Sequence, residues 1–401
     1  MTKKLTEFLE SYINKQSIFK DKRALQSNYT PKRAPYRGEQ INQLASILAP
    51  SLRMEKPSNV FVYGRPGTGK TLVAKYVTHS ITKIAEKNKK NVTIVYLNCK
   101  MKRVADTEYR LIAQIAREMG EEIPATGLPT DEVYKIFVNI LNNKKQLLIL
   151  ILDEIDQLVK KVGDDILYNI TRLSSELSGS EISFIGISND LMFMDNVDPR
   201  VKSSLSEEEM VFPSYNAVQL EKILRQRVSL AFTEGVVGEG VVEKCSAYAA
   251  REHGDARRAL ELLRVAGEIA ERKNQNNIVI NDIDLAEEKI EKDRVLDSIN
   301  MQPKQFKLTL YSIISVCNGL ENGVFTGDVY ETYRKNCSKC GIAPLTQRRL
   351  GDIIAELDML GVVNAKVISK GRYGRTREIS LTLPEATLVN ISALLQEGLG
   401  L

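Results

Sequence analysis

Histidine is nearly absent: His79 and His253 are the only two in 401 residues. A tetrahedral zinc centre needs four Cys, His or carboxylate ligands, and the single Cys337-x-x-Cys340 pair supplies two. Tyr330 and Tyr333 continue a helical stripe ahead of that pair, which therefore reads as two cysteines on one helical turn without metal. The five cysteines, at 99, 245, 317, 337 and 340, are scattered as in a chain kept in reducing cytoplasm. The opening MTKKLTEFLE has no apolar signal core. Long apolar runs are also missing. The longest, LLILILD from 147, falls far short of the roughly 20 residues that cross a bilayer. Charge of one sign is scarce: 56 Lys+Arg against 51 Asp+Glu leave a net +5, so any nucleic-acid surface has to come from local clusters. Neither an internal repeat nor a low-complexity tract is present.

With 43% hydrophobic and 27% charged residues, the chain is long enough for two or three domains with real cores. Residues 1–27 read as an N-terminal arm with sparse apolar positions at helical spacing. A base domain spans 28–215, opening with a helix from about Gln40 to Arg53. Its predicted strands, 59–63, 92–98, 146–152 and 182–187, alternate with predicted helices 69–87, 107–119, 130–142 and 164–178. This βα alternation is the pattern of a parallel sheet wrapped by helices. Residues 216–295 read as helices only, a lid-like second domain. From 300 to 395, helical patterns near 305–317, 325–339 and 345–360 precede two short strands, 362–368 and 378–383, giving a winged helix-turn-helix. The expected fold class is α/β, with a parallel-sheet nucleotide-binding domain, a helical lid and a C-terminal winged helix.

The stretch VFVYGRPGTGKT at 60–71 sets Gly64-Arg65-Pro66-Gly67-Thr68-Gly69-Lys70-Thr71-Leu72 between a strand and a helix. Glycines let backbone N–H groups turn toward phosphates, the helix N-terminus adds its positive end, Lys70 neutralises β and γ charge, and Thr71 offers its hydroxyl to Mg²⁺. The alternative, a turn that merely links strand to helix, leaves this context unexplained. Downstream, QLLILILDEID ends an apolar strand in Asp153 and Glu154, at the carboxyl edge where α/β ligands bind. Asp153 suits Mg²⁺, and Glu154 suits the general base that activates water. Asn189, after ISFIGIS, orients the water or the γ-phosphate if those two motifs hold; alone it is a turn former.

Near the C-terminus, the helix 345–360 turns Leu350, Ile353, Ile354, Leu357 and Leu360 inward and leaves Thr346, Gln347, Arg348 and Arg349 at its first turn. Arg and Gln at that place read base edges in recognition helices. The hairpin KVISKGRYGRTR carries Lys370, Arg372, Arg375 and Arg377, the charge that a backbone or minor-groove contact requires. Tyr373 lies along a sugar edge or shields the hairpin.

Taken in order, these motifs resemble the AAA+ ATPases, and within them the archaeal replication initiators of the origin recognition and cell-division-control helicase-loader family, over roughly Tyr29 to Leu383. VDPRVKSSL resembles the arginine-finger motif, which implies that Arg200 reaches a neighbouring subunit's γ-phosphate. HGDARRAL resembles the sensor 2 motif, which implies that Arg257 points from the lid into the pocket, although spacing alone reads as a solvated arginine. PYRGEQ, in place of the family's more usual His-Arg-Glu run, implies adenine-side contacts from Tyr36 and Arg37. The segment near 100–130 is similar to the family's DNA-touching insertion and carries Lys100, Lys102 and Arg103; two ordinary helices with a solvated basic edge remain the other reading. The resemblance implies ATP and ADP as ligands with Mg²⁺, slow hydrolysis, double-stranded origin DNA, the replicative MCM-type helicase and paralogous initiators as partners, and a cytoplasmic, nucleoid-associated location. Two rival readings are a winged-helix transcription regulator that keeps its nucleotide as a structural switch, and a clamp-loader or remodelling ATPase.

Overall fold

The computed structural model describes residues 17–26, 29, 31, 34–100, 107–124, 127–205, 207–317, 324–369, 375–383 and 385–401. The chain divides into two units, Met1–Asp284 and Leu285–Leu401.

In the first unit, α1 (Gly38–Leu48) precedes β1 (Asn59–Gly64), α2 (Lys70–Lys87), β2 (Val92–Asn98), α3 (Glu108–Glu118), α4 (Thr130–Asn143), β3 (Leu147–Asp153), α5 (Ile155–Val162), α6 (Asp165–Glu176), β4 (Glu181–Ser188), α7 (Pro199–Leu205) and β5 (Glu207–Phe212). The sheet has the order β2-β3-β4-β1-β5, and every pairing is parallel. A parallel sheet needs both faces covered, which is why β3 is apolar throughout and wholly buried. Its side chains alternate between two cores. Leu148, Leu150 and Leu152 pack with Phe61 and Phe184 beneath α3 to α6. Ile149 and Ile151 pack with Val60, Val62 and Ile185 beneath α1 and α2. Each such fully buried side chain contributes about 1.5–3 kcal/mol.

Register aligns the carboxyl ends. Asp153 lies opposite Asn98 and Ile187, and Tyr63 lies opposite Ser188. The chemistry-bearing residues after β1, β3 and β4 therefore emerge along one edge.

Helices α8 (Ala217–Ala231), α9 (Val241–Arg251) and α10 (Ala256–Arg272) follow. The N-terminal segment 17–26 is fastened to them: the Phe19 and Phe232 rings stack at 4.8 Å, and Lys22 pairs with Glu268 at 2.7 Å. Residues 1–16 of the expected arm lie outside the described residues.

Helix α11 (Ile280–Asn300) contains the division between units. In the second unit, α12 (Lys304–Cys317), β6 (Val324–Phe325), α13 (Thr326–Lys339), α14 (Gln347–Met359), β7 (Val363–Ser369), β8 (Arg375–Leu381) and α15 (Glu385–Leu399) enclose a core that includes Leu308, Tyr333, Leu350, Ile354 and Ile379. The antiparallel sheet β6-β8-β7 forms the wing. Among the described residues no helix is long and apolar enough to cross a membrane.

Candidate functional site

The loop between β1 and α2 is built by glycines where no side chain fits. Gly67 and Gly69 have φ of +72° and +90°, and a Cβ on Gly64 would meet the Phe212 carbonyl oxygen at 2.6 Å. Thr68 is buried and its Oγ1 donates to Arg65 O at 2.8 Å, while Arg65 and Pro66 are exposed. Lys70 is only 5% exposed; its ammonium donates to Gly64 O at 2.7 Å, Arg65 O at 2.8 Å and Asn189 Oδ1 at 2.9 Å. Burial pulls the Lys70 pKa down to about 8, against the opposing charge of Asp153.

Asp153 ends β3 and is buried. Its Oδ2 accepts from Thr71 Oγ1 at 2.8 Å and from Tyr96 Oη at 2.7 Å, while Oδ1 accepts the Glu154 N–H at 3.0 Å. Burial, reinforced by the Asp153 charge, pushes the Tyr96 hydroxyl well above its ordinary pKa, so it stays a donor. Glu154 takes a left-handed conformation, φ 57°, at the start of α5, and Lys100 Nζ lies 3.9 Å from its Oε2.

These groups open on a cavity of about 530 Å³, a size that suits a small-molecule ligand. Lys70, Thr71, Leu72, Asp153, Glu154 and Asn189 line its base-domain wall. Arg257, Leu260, Ile223 and Arg227 line it from the lid helices, and Tyr29 and Pro31 from the N-terminal segment. Thus Arg257, which helical spacing alone leaves on a solvated face, is in the wall. Asp255 caps α10 by accepting the Arg257 N–H at 2.7 Å, and the Ala256 N–H reaches Gly67 O at 3.4 Å, so the lid helix starts against the phosphate loop. The donor set of one hydroxyl and one carboxylate on neighbouring elements, with their oxygens already 2.8 Å apart, fits a hard divalent cation such as Mg²⁺.

Tyr36 and Arg37 are not brought into the cavity wall. Arg37 is 2% exposed; Nε donates to Thr68 O at 2.9 Å and Nη2 to Pro213 O at 2.6 Å, with its guanidinium 4.0 Å from the Tyr215 ring centroid. It braces the phosphate loop against the hinge that leads to the lid. Tyr36 lies 5.8 Å from the ammonium of Lys222 and is exposed. Arg200 is also outside the wall, on the first turn of α7, with an 89% exposed side chain 3.6 Å from Asp198. Sequence reasoning missed Tyr96, Tyr215 and Arg227. Only Tyr96 left a signal, as the one aromatic hydroxyl in the strand VTIVYLN.

In the second unit, Thr346 Oγ1 caps α14 by accepting the Arg349 N–H at 3.3 Å. Gln347, Arg348 and Arg349 are exposed on that turn, and Arg349 lies 3.5 Å from Asp352. The guanidinium of Arg377, expected to contact DNA, donates to the Gly351 carbonyl, which ties β8 to α14. Arg375 opens β8 opposite Ser369. Lys102, Arg103, Lys370, Arg372 and Tyr373 lie outside the described residues.

A five-stranded parallel sheet in this order, a glycine loop carrying a buried lysine, an acidic strand end and a helical lid define a nucleotide-binding AAA+ ATPase, here followed by a winged helix. Residues 53–191 match the AAA domain family, 221–288 the Cdc6 AAA+ ATPase-type lid domain, and 297–390 the CDC6 C-terminal winged helix domain. The chain is 51% identical over 391 residues to the ORC1-type DNA replication protein of Thermococcus onnurineus, covering 96% of this chain and 94% of that one. It is 50% identical over 382 residues to ORC1-type DNA replication protein 1 of Methanosarcina mazei, covering 95% and 91%. Among solved structures, the Aeropyrum pernix ORC1 protein in complex with DNA is 44% identical, with a TM-score of 0.80 over 96% of this chain and 98% of that one. The chain belongs to the family of ORC1-type DNA replication proteins.

Proposed function

We propose that the protein is a nucleotide-switched replication initiator: it binds ATP, reads double-stranded origin DNA through its winged helix, helps load the replicative helicase, and is turned off by slow hydrolysis. The observation that carries this reading is the meeting of Lys70, Asp153, Asn189 and the lid's Arg257 around one cavity. Lys70, freed from its loop carbonyls, neutralises the β and γ phosphates. Thr71 and Asp153 would hold Mg²⁺, which would supply charge neutralisation to the bound phosphates. Glu154 takes the proton of the attacking water, and Asn189 orients that water or the γ-phosphate. Arg257 ties lid position to the presence of the γ-phosphate, and exposed Arg200 performs the same task for a neighbouring initiator's nucleotide. Gln347 and Arg348 read base edges, with Lys100 and the basic wing on the backbone.

The switch reading is preferred over a clamp-loader because a winged helix with Gln347 and Arg348 exposed on the first turn of α14 follows the lid. Lys70→Ala tests the pocket directly: it is expected to abolish ATP binding in a folded chain, and ATP retention by that variant contradicts the assignment.

A further inference from the structure

Beyond Lys75, no residue of α2 lines the nucleotide cavity. Val73, Ala74, Val77, Ile81 and Ala85 bury the inner face of the helix. That leaves His79, Lys83 and Lys87 exposed at steps of four residues, on one ridge with about 6 Å between neighbours. Lys75 begins the same ridge but is committed elsewhere, with its ammonium 3.7 Å from the centroid of the Tyr96 ring in the cavity wall.

The ridge runs into four more lysines at the amino edge of the sheet, the edge opposite the phosphate loop. Lys89 and Lys90 precede β2, Lys144 and Lys145 precede β3, and all four are exposed. β2 and β3 are neighbours in the sheet. The Asn91 side chain donates to Lys145 O at 2.9 Å and the Leu147 N–H donates to Asn91 O at 3.0 Å. The two lysine pairs are therefore held side by side, about one strand spacing of 4.8 Å apart. Lys89 also takes a left-handed conformation, φ 52°, at the turn that ends α2. Glycine is the residue that adopts this conformation without strain, and a charged side chain stands there instead.

Among the described residues no carboxylate lies within ion-pair distance of Lys83, Lys87, Lys89, Lys90, Lys144 or Lys145. Glu86 is the one acid between Thr71 and Ala105. A face kept only for solubility interleaves both signs. The negative end of the α2 dipole favours cations in its last turn, but Lys144 and Lys145 are not on that helix. These six ammonium groups exceed the net +5 of the whole chain, so the positive field is local, as a polyanion requires. The cluster contains lysine and no arginine. An ammonium is a compact point charge that suits phosphate oxygens, whereas the planar fork that reads guanine edges is absent.

We propose that the outer ridge of α2 and the amino edge of the sheet form a second, sequence-independent contact with duplex DNA, in which these lysines neutralise backbone phosphates. Because the contact lies at the edge opposite the phosphate loop, it leaves the nucleotide cavity open. The inference rests on the reading of the chain as a duplex-binding initiator and adds a backbone contact outside the winged helix.

The test is fluorescence-anisotropy titration of the full chain across a series of salt concentrations, with a duplex from a replication start of its own genome and a scrambled duplex of equal length. Lys83→Ala combined with Lys87→Ala is expected to flatten the slope of log affinity against log salt by about two. Both duplexes weaken alike, on the order of tenfold at low salt. Lys144→Ala combined with Lys145→Ala is expected to do the same. A charge-matched control, Lys56→Ala with Lys222→Ala, keeps the wild-type slope, and ATP titration unchanged in every variant reports an intact fold. Wild-type slopes in both ridge variants overturn the inference, as does equal flattening in the control, which reports bulk charge alone. Unchanged DNA binding with weakened self-association in sedimentation also overturns it, because the face then joins copies of the chain. If Arg348→Ala loses its preference for the origin duplex while the ridge variants match wild type, the ridge falls and the winged-helix reading stands. If the wild type binds neither duplex, both fall.

Discussion

A Cβ built on Gly67 falls 1.6 Å from Oδ1 of Asp255, the residue that caps the lid helix α10. The phosphate loop and the lid therefore meet at a place with no room for even one carbon atom. Gly67→Ala adds that carbon and also places an L-residue at φ +72°, a conformation that costs roughly 1–2 kcal/mol. The expected outcome is a folded protein whose lid no longer seats: circular dichroism unchanged, and the rise in melting temperature on adding ATP lost. A normal ATP-dependent rise in Gly67→Ala means that the lid seat is dispensable.

Arg37 acts at one remove from the ligand. Its two donated bonds, to Thr68 O and Pro213 O, hold the loop to the hinge before the lid. Hydrogen bonds from a charged donor are worth about 1.5–3 kcal/mol, so Arg37→Ala should weaken ATP at least tenfold in calorimetric titration. Arg37→Lys should not restore it, because one ammonium cannot span both carbonyls while stacking on Tyr215. Full rescue by lysine points to a simple charge effect.

Tyr96 and Thr71 donate to the same oxygen of Asp153. Tyr96→Phe removes one of the two donors to Oδ2 of this buried carboxylate, a loss of about 1.5–3 kcal/mol. The expected reading is a melting temperature lower by on the order of 5 °C with the phosphate contacts intact. An unchanged melting temperature argues that water replaces the phenol at no cost.

Much of this architecture is legible in the sequence because the two strongest signals coincide. LLILILD is apolar throughout, as a strand covered on both faces has to be, and the glycine loop stands between a strand and a helix. Edge strand β5 escapes because Glu207, Glu208 and Glu209 interrupt any apolar alternation, which a strand with one free edge tolerates. α5 is only eight residues, too short for a period to register. For Arg37 and Arg377 the local sequence gives charge but not the distant carbonyls, Pro213 O and Gly351 O, that engage them. Arg227 is hidden for the same reason: no spacing rule connects it to the Tyr29 ring 4.4 Å from its guanidinium.

Two arginines of the winged helix differ in their contacts. Arg348 is exposed at the first turn of α14, so Arg348→Ala should leave the melting temperature unchanged and cost about 1–3 kcal/mol at particular base pairs. Arg377 ties β8 to α14 through Gly351 O, so Arg377→Ala should lower thermal stability and weaken every DNA sequence alike. Equal sequence dependence in the two variants contradicts this division.

The most direct test of the central claim is footprinting of the full chain on its own genome's DNA, with ATP and with ADP, for wild type and Arg348→Ala. The expected result is discrete protection near a replication start that differs between ATP and ADP and is lost in Arg348→Ala. Protection that is diffuse, confined to promoters, or identical in both nucleotides and both proteins contradicts a nucleotide-switched, origin-reading initiator.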